Sequence, residues 1–178
     1  MGSDAGAARV RVREAGASDL PGVLAIYNQA ILETTAVWSN APVDLNNRRE
    51  WLKDRQVRGF PVLVAEADGA VCGFASFGEF RAWPGYVHTV EHSVYVAQDW
   101  RRHGVGRALL EELIEAAKTL QKHVLIAGIE AENSASLKLH AALGFEHAGR
   151  LHQVGAKFGR WLDLVFMELR LDSRPAPA

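Results

Sequence analysis

The sequence predicts a single α/β (α+β) domain, a central twisted sheet flanked by helices, and three observations carry that reading. Strand-like and helix-like segments alternate along the whole chain. Residues Pro61 to Phe80 read as a hairpin around the turn Asp68-Gly69. Thr89 to Val96, Arg107 to Leu120 and His123 to Ile129 read as a β-α-β crossover. With 178 residues, 48% of them hydrophobic, the chain suits one compact domain with a full core. No Pro/Gly/Ser-rich linker divides it, so the domain is expected over 9–172, with flexible tails at 1–8 and 173–178.

The elements follow in order. Arg9 to Glu14 alternates valine with charge, as a strand does, and Ser18 is placed to cap a helix whose Leu20, Leu24, Tyr27 and Ile31 share a face. A second helix is expected over Leu45 to Val57. The hairpin strands are Pro61 to Glu66 and Val71 to Phe80, followed by the crossover. Asn133 then caps a helix that runs to Leu143 and stops at Gly144, where a left-handed residue is favoured. Two strands, near His147 to Val154 and Arg160 to Leu171, close the chain.

Composition excludes several classes. A net charge of -1 leaves no broad basic surface for nucleic acid; the Arg101, Arg102, Arg107 cluster suits a few phosphates rather than a duplex. One cysteine, Cys72, rules out an internal disulfide and a thiolate metal cage, and its apolar neighbours Val71 and Phe74 suggest an inert thiol. No histidine pair has convincing metal spacing, so no metal is expected. There is no run of 18 apolar residues and no positive-then-apolar leader, and Gly6 stands where a myristoylation motif wants Ser or Thr, so no membrane association is expected and cytoplasm is the default.

The most specific segment is Arg101-Arg102-His103-Gly104-Val105-Gly106, between a strand and a helix. A tight glycine turn and a helix N-terminus present a row of backbone N–H groups, a receptor for a pyrophosphate. It is neither a P-loop, which needs Gly-x-x-x-x-Gly-Lys-Ser/Thr, nor the dinucleotide pattern Gly-x-Gly-x-x-Gly. A second signature, Asn133-Ser134-Ala135-Ser136-Leu137 running on to Gly144-Phe145, follows about 30 residues later.

Arg-x-x-Gly-x-Gly followed by Asn-x-x-Ser and Gly-Phe resembles the GCN5-related N-acetyltransferase (GNAT) superfamily. The segments Ile26-Tyr27-Asn28, Thr34-Thr35-Ala36, Thr89 to Val96 and Lys157-Phe158-Gly159-Arg160-Trp161-Leu162-Asp163 are similar to its phosphinothricin and methionine sulfoximine acetyltransferase branch, from about Val12 to Leu171. The resemblance implies a mixed, mostly antiparallel sheet and acetyl-CoA as cosubstrate. It implies a small-molecule amine acceptor, acetylated at its α-amine in a ternary complex, and a homodimer with active sites near its interface. For acetyl-CoA it implies Arg102, His103, Gly104, Val105, Gly106 and Arg107 at the pyrophosphate, with Asn133 and Ser136 further along. It also implies the main chain of Val94, Tyr95 and Val96, where the strand splays from its neighbour and pairs with the pantetheine arm.

Amide formation from a thioester needs a base for the ammonium, donors for the carbonyl oxygen and a proton for the leaving thiolate. Glu91 is the only acid in Thr89 to Val96, where desolvation would raise its pKa towards that of a useful base; a solvated edge or an arginine partner is the alternative on spacing alone. The branch resemblance favours the base, acting directly or through water. His140 stands where many relatives carry a tyrosine proposed to protonate the thiolate; the alternative is a helix histidine bonded to a backbone carbonyl. Phe80, Arg81, Ala82 and Trp83 mix aromatics with a cation suited to a carboxylate, and with Glu91, His92 and Ser93 are expected to hold the acceptor. Trp38 and Thr34-Thr35 are candidates to complete the pocket. Open alternatives are another amine (a peptide N-terminus, a polyamine, an antibiotic), a non-catalytic acetyl-CoA-binding module, and an acyl-enzyme on Cys72.

Overall fold

The computed structural model describes residues 10–177, so the expected tail at 1–8, Arg9 and Ala178 lie outside the described residues. The elements run β1 (Arg11–Glu14), α1 (Leu20–Glu33), α2 (Leu45–Val57), β2 (Val62–Ala67), β3 (Ala70–Glu79), β4 (Thr89–Val96), α3 (Val105–Thr119), β5 (Val124–Glu130), α4 (Ser134–Ala142), β6 (Glu146–Lys157) and β7 (Arg160–Arg170). That order is the one the sequence predicts. They form one seven-stranded sheet, β1-β2-β3-β4-β5-β7-β6, in which only β4 and β5 run parallel. The crossover helix α3 makes that one pair parallel; the other neighbours are antiparallel.

Successive strand residues serve opposite layers. Leu63, Ala65, Ala75, Phe77, Val90, Leu125 and Ala127 face α3, whose Leu109, Leu110, Leu113, Ile114 and Ala117 recur with helical period to make the larger core. Val64, Phe74 and Tyr95 face the other way, onto Val23, Ile26 and Tyr27 of α1 and Trp51 of α2. The two layers sandwich β1 to β4. On the α1 side, the sheet beyond β4 is where a site has room.

Local details depart from the sequence reading. Ser18 caps nothing: a 3-10 turn, Ala17–Asp19, runs directly into α1, and the Asp19 carboxylate accepts the Gly16 N–H at 2.8 Å and two bonds from Arg13. The most buried line of α1 is Leu20, Val23, Ile26, Ala30 and Ile31, while Leu24 and Tyr27 are half-buried. Its aliphatic residues cover more than one stripe, and packing chooses among them. α3 starts two residues earlier than expected, because Gly104 adopts a left-handed conformation that opens the helix at Val105. β6 extends to Lys157, past a bulge between Leu151 and Gly155. Asp68-Gly69 and Gly144 are left-handed, as their turns require. Arg174, in the expected tail, donates to the main-chain oxygens of Gln121 and Lys122 and to Asp172.

Candidate active site

The site begins where two parallel strands part. The β4–β5 ladder ends at His92 opposite Ala127, yet β4 continues against β3 to Val96 and β5 against β7 to Glu130. Ala97 N–H bonds Cys72 O at 2.9 Å. By the alternation of an antiparallel ladder, Tyr95 and Ser93 also turn their main-chain groups to β3, whereas Val94 and Val96 turn theirs into the gap.

At the wide end of that gap sits the glycine turn. Arg102 (φ +66°) and Gly104 (φ +81°) are left-handed, which curls the chain into a concavity of N–H groups. The first intrahelical bond of α3 is Ala108 N–H to Gly104 O, so the N–H groups of Val105, Gly106 and Arg107 have no acceptor within the helix. Gly106 is needed for closeness: a Cβ there would lie 3.2 Å from Leu139 of α4. The helix dipole adds its positive end, and the exposed Arg101, Arg102 and Arg107 add charge.

From this turn a cleft of about 900 Å³ runs along β4. Val94, Tyr95 and Val96 form its floor, Asn133, Ser136 and Leu139 one wall, and Ala30, Thr34 and Thr35 another. Asn133 caps α4 through its carboxamide oxygen, which accepts the Ser136 N–H at 3.1 Å. Thr35 donates to the buried Glu130 at 2.9 Å, and Glu130 also accepts the Glu132 N–H. A smaller recess continues from the same residues to His92, Ser93, Gly128 and His140.

Glu91 lies on the α1 face of β4, opposite Gly78. Burial pushes its carboxyl upward, and the positive charge of Arg81 pulls in the other direction. Arg81 itself is exposed, with its guanidinium 4.0 Å above the Phe80 ring and bonded to Phe80 O. Phe80 meets Phe166 of β7 edge-on at 6.3 Å. Ala82 and Trp83 continue along the surface, Trp83 being 75% exposed.

His92 and His140 meet on the opposite face, buried against Phe145 with their rings nearly parallel. His140 Nδ1 is 2.7 Å from Ser136 O, so the hydrogen-bond network assigns its hydrogen to Nδ1. Its Nε2 then accepts from His92 Nε2 at 3.3 Å, which leaves His92 Nδ1 buried with no partner among the described residues. Burial pulls the His92 imidazole down to about 3 and lowers that of His140 as well, so both are neutral near pH 7. His140 therefore has the carbonyl bond that its sequence left open as the plain alternative, and it also borders the recess.

A parted parallel strand pair, an N–H-rich turn on the following helix and a cleft whose recess reaches Gly128, beside the half-buried Glu91, form the pattern of one family. A profile of the acetyltransferase (GNAT) family matches residues 23–145. The chain belongs to the GNAT acetyltransferase family. It is similar to the L-methionine sulfoximine/L-methionine sulfone acetyltransferase of Pseudomonas aeruginosa, 54% identical over 93% of this chain and 98% of that one. It is also similar to the phosphinothricin N-acetyltransferase of Alcaligenes faecalis, 41% identical over 91% of this chain and 83% of that one. The structure of yncA from Salmonella typhimurium with its cofactor acetyl-CoA superposes with a TM-score of 0.93 at 48% identity, covering 95% of this chain and 98% of that one.

Within the acetyltransferase, the expected residues fall into separate places. Val94, Tyr95, Val96, Arg102, Gly104, Gly106, Arg107, Asn133 and Ser136 line the cleft of about 900 Å³. Val105 does not: its side chain is buried beneath the turn, and only its N–H faces outward. His103 is exposed, with Nδ1 2.9 Å from Arg101 O. Cys72 is buried, its thiol donating to Ala65 O and pushed up by burial, away from the cleft. Among the described residues no cluster of three or more His, Cys, Asp or Glu could hold a metal, and no helix is long and apolar enough to cross a membrane.

Sequence reasoning missed Glu130, Phe158 and Arg160, which line the cleft, and Gly128 beside Glu91. Phe158-Gly159, both left-handed, form the tight β6–β7 turn that brings Phe158 and Arg160 back over the cleft. Lys157, 3% exposed, donates to Ile31 O, Thr34 O and Val37 O, tying this turn to the end of α1; Trp38 lies flat over Gly155. A lysine inside a tight-turn motif was the available signal.

Proposed function

We propose that the protein transfers the acetyl group of acetyl-CoA to the α-amine of small amino-acid analogues, methionine sulfoximine, methionine sulfone and phosphinothricin among them. The carrying observation is the meeting, at one parted strand pair, of two unlike surfaces: unpaired main-chain groups on the cleft side and a half-buried carboxylate with an arginine on the other. The cleft fits acetyl-CoA in chemistry as well as size. The N–H groups of Val105 to Arg107, with Arg102 and Arg107, suit its pyrophosphate. The turned-out edges of Val94 and Val96 suit the amides of its arm, and Asn133 Nδ2 has no partner among the described residues. Bound acetyl-CoA supplies a thioester carbonyl at the parting of the strands.

Glu91 then takes a proton from the acceptor ammonium, a role its raised pKa favours. The N–H of Val94 offers a donor to a carbonyl oxygen at that place. Arg81 is assigned the acceptor carboxylate, with Phe80, Ala82, Trp83 and Ser93 bordering it; His92, expected there from the sequence, instead lies buried on the opposite face against His140 and Phe145. His140 is assigned the supply of a proton to the leaving sulfur. With Nδ1 committed to Ser136 O, its Nε2 is an acceptor, so His140 relays that proton: Nε2 takes the second proton that the acceptor nitrogen sheds as the amide forms and passes it to the thiolate. Strong similarity to enzymes of this activity over nearly the whole chain supports the reading, as does the absence of an exposed thiol in the cleft, which disfavours an acyl-enzyme. The exposed Trp83 and the long edge strand β6, with Leu151 and Val154 exposed and Trp161 of β7 exposed beside it, fit an interface in a homodimer.

Turnover of methionine sulfoximine, methionine sulfone, phosphinothricin, free amino acids, spermidine and a peptide, followed by release of coenzyme A, tests this. The sulfoximine, sulfone and phosphinothricin are expected to lead. A preference for spermidine or peptide overturns the acceptor assignment, and tight acetyl-CoA binding with no turnover of any amine overturns catalysis.

A further inference from the structure

Gly128 is anomalous within its strand. β5 is the middle of the sheet, and Leu125, Ile126, Ala127, Ile129 and Glu130 are buried, yet Gly128 between them is exposed. Its backbone is ordinary for a strand, so no turn or left-handed conformation demands glycine there. Space does. A Cβ at 128 would lie 3.0 Å from Glu91 Oε1, 3.6 Å from Leu164 Cδ1 and 3.7 Å from Phe166 Cε1. It is also the first residue of β5 beyond the β4 ladder, at the point where the strands part. Leu164 and Phe166 are half-buried on the same face, which α1 and α2 leave uncovered.

We propose that Gly128 is the floor of an apolar cup for the acceptor's side chain, and that its missing Cβ sets how long and how bulky that side chain can be. The inference rests on the acceptor being an amino-acid analogue. With Glu91 at the amine and Arg81 at the carboxylate, the remaining direction from the α-carbon leads over Gly128 between Leu164 and Phe166. Apart from the Glu91 carboxylate, the atoms nearest that floor belong to the apolar Leu164 and Phe166, so it takes an unbranched chain of methylene or thioether character. A Cβ on the floor obstructs the chain and leaves the glycine turn and Val94 to Val96 untouched, while the Glu91 carboxylate gives by a few tenths of an ångström, a cost common to every acceptor.

The test is steady-state kinetics of Gly128→Ala and Gly128→Val with alanine, methionine sulfone, methionine sulfoximine and phosphinothricin, alongside calorimetry with acetyl-CoA. A misfit of one or two methyl groups in an apolar pocket changes kcat/KM by roughly 10–200-fold. That loss is expected for the long acceptors, mainly in KM, with a much smaller loss for alanine and unchanged acetyl-CoA affinity. Valine suits a strand, so the fold should hold; Leu164→Ala, which widens the cup, is the converse variant and should improve bulkier acceptors relative to alanine. If wild type turns over the panel but the variants slow every acceptor by the same factor, or none, the cup is overturned alone. If wild type turns over none of the panel, the function reading falls and the cup with it.

Discussion

The two sides of the parted strands are built from different material. The side proposed for the cofactor is main chain: three N–H groups at the start of α3, a left-handed turn, and the unpaired edges of Val94 and Val96. The side proposed for the acceptor is side chain: Glu91 from β4, Arg81 and Phe80 from the loop after β3, Leu164 and Phe166 from β7, over the bare Gly128. Main-chain receptors are local and tolerate almost any side chain whose backbone fits. Side-chain receptors are assembled from distant segments, and each member has a chemical task.

The largest expected contrast comes from Glu91→Gln. Loss of a positioned base should lower kcat by about 10²–10⁴-fold, while calorimetry finds acetyl-CoA affinity unchanged, because no main-chain group has moved. Wild-type turnover in this variant across pH 6 to 9 would remove Glu91 from the chemistry.

Gly104 provides the mirror image. No atom lies within 4 Å of a Cβ placed there, but its φ is +81°. Gly104→Val forces a branched residue into the left-handed region at roughly 1–3 kcal/mol, so acetyl-CoA binding should weaken about tenfold with the acceptor KM little changed. Gly104→Asn, which tolerates that conformation, should lie much closer to wild type. Equal effects of the two variants would mean that the turn acts through space rather than backbone conformation.

The smallest effect separates the two sides by pH. Glu91 is active when ionised and its pKa is raised, so kcat/KM should fall as pH drops through a value above the ordinary glutamate 4.5, where acetyl-CoA binding stays flat. A group whose folded pKa is raised adds stability in its protonated form and loses it as pH rises. Glu91→Gln should therefore raise Tm at pH 8, because the variant no longer carries a half-buried charge there. By pH 4 the difference should vanish. A lower Tm at pH 8 would show that the carboxylate has a stabilising partner instead.

Much of the fold was legible because its signals are local. Asp68-Gly69 announces a hairpin, Asn133 and Gly144 bracket α4, and the spacing of Leu109, Leu110, Leu113 and Ile114 places α3. Ser18 misled because a capping residue is recognised only by type, and the Asp19 carboxylate, held by Arg13 from the neighbouring strand, had already satisfied the turn. His140 was found as a residue but not as a hydrogen-bonded pair with His92, since the two are 48 positions apart and nothing in either segment refers to the other.

The sequence by itself determined the order of elements, the glycine turn that opens α3 and the presence of one acid in β4, because each depends on residues within a turn or two of one another. Tertiary structure alone decided which way that acid faces, how its pKa moves, and why a glycine interrupts the buried strand beside it. Those properties depend on what lies across the sheet, and β5 and β7 reach Glu91 only after the chain has folded back from as far along as Ile126 and Phe166.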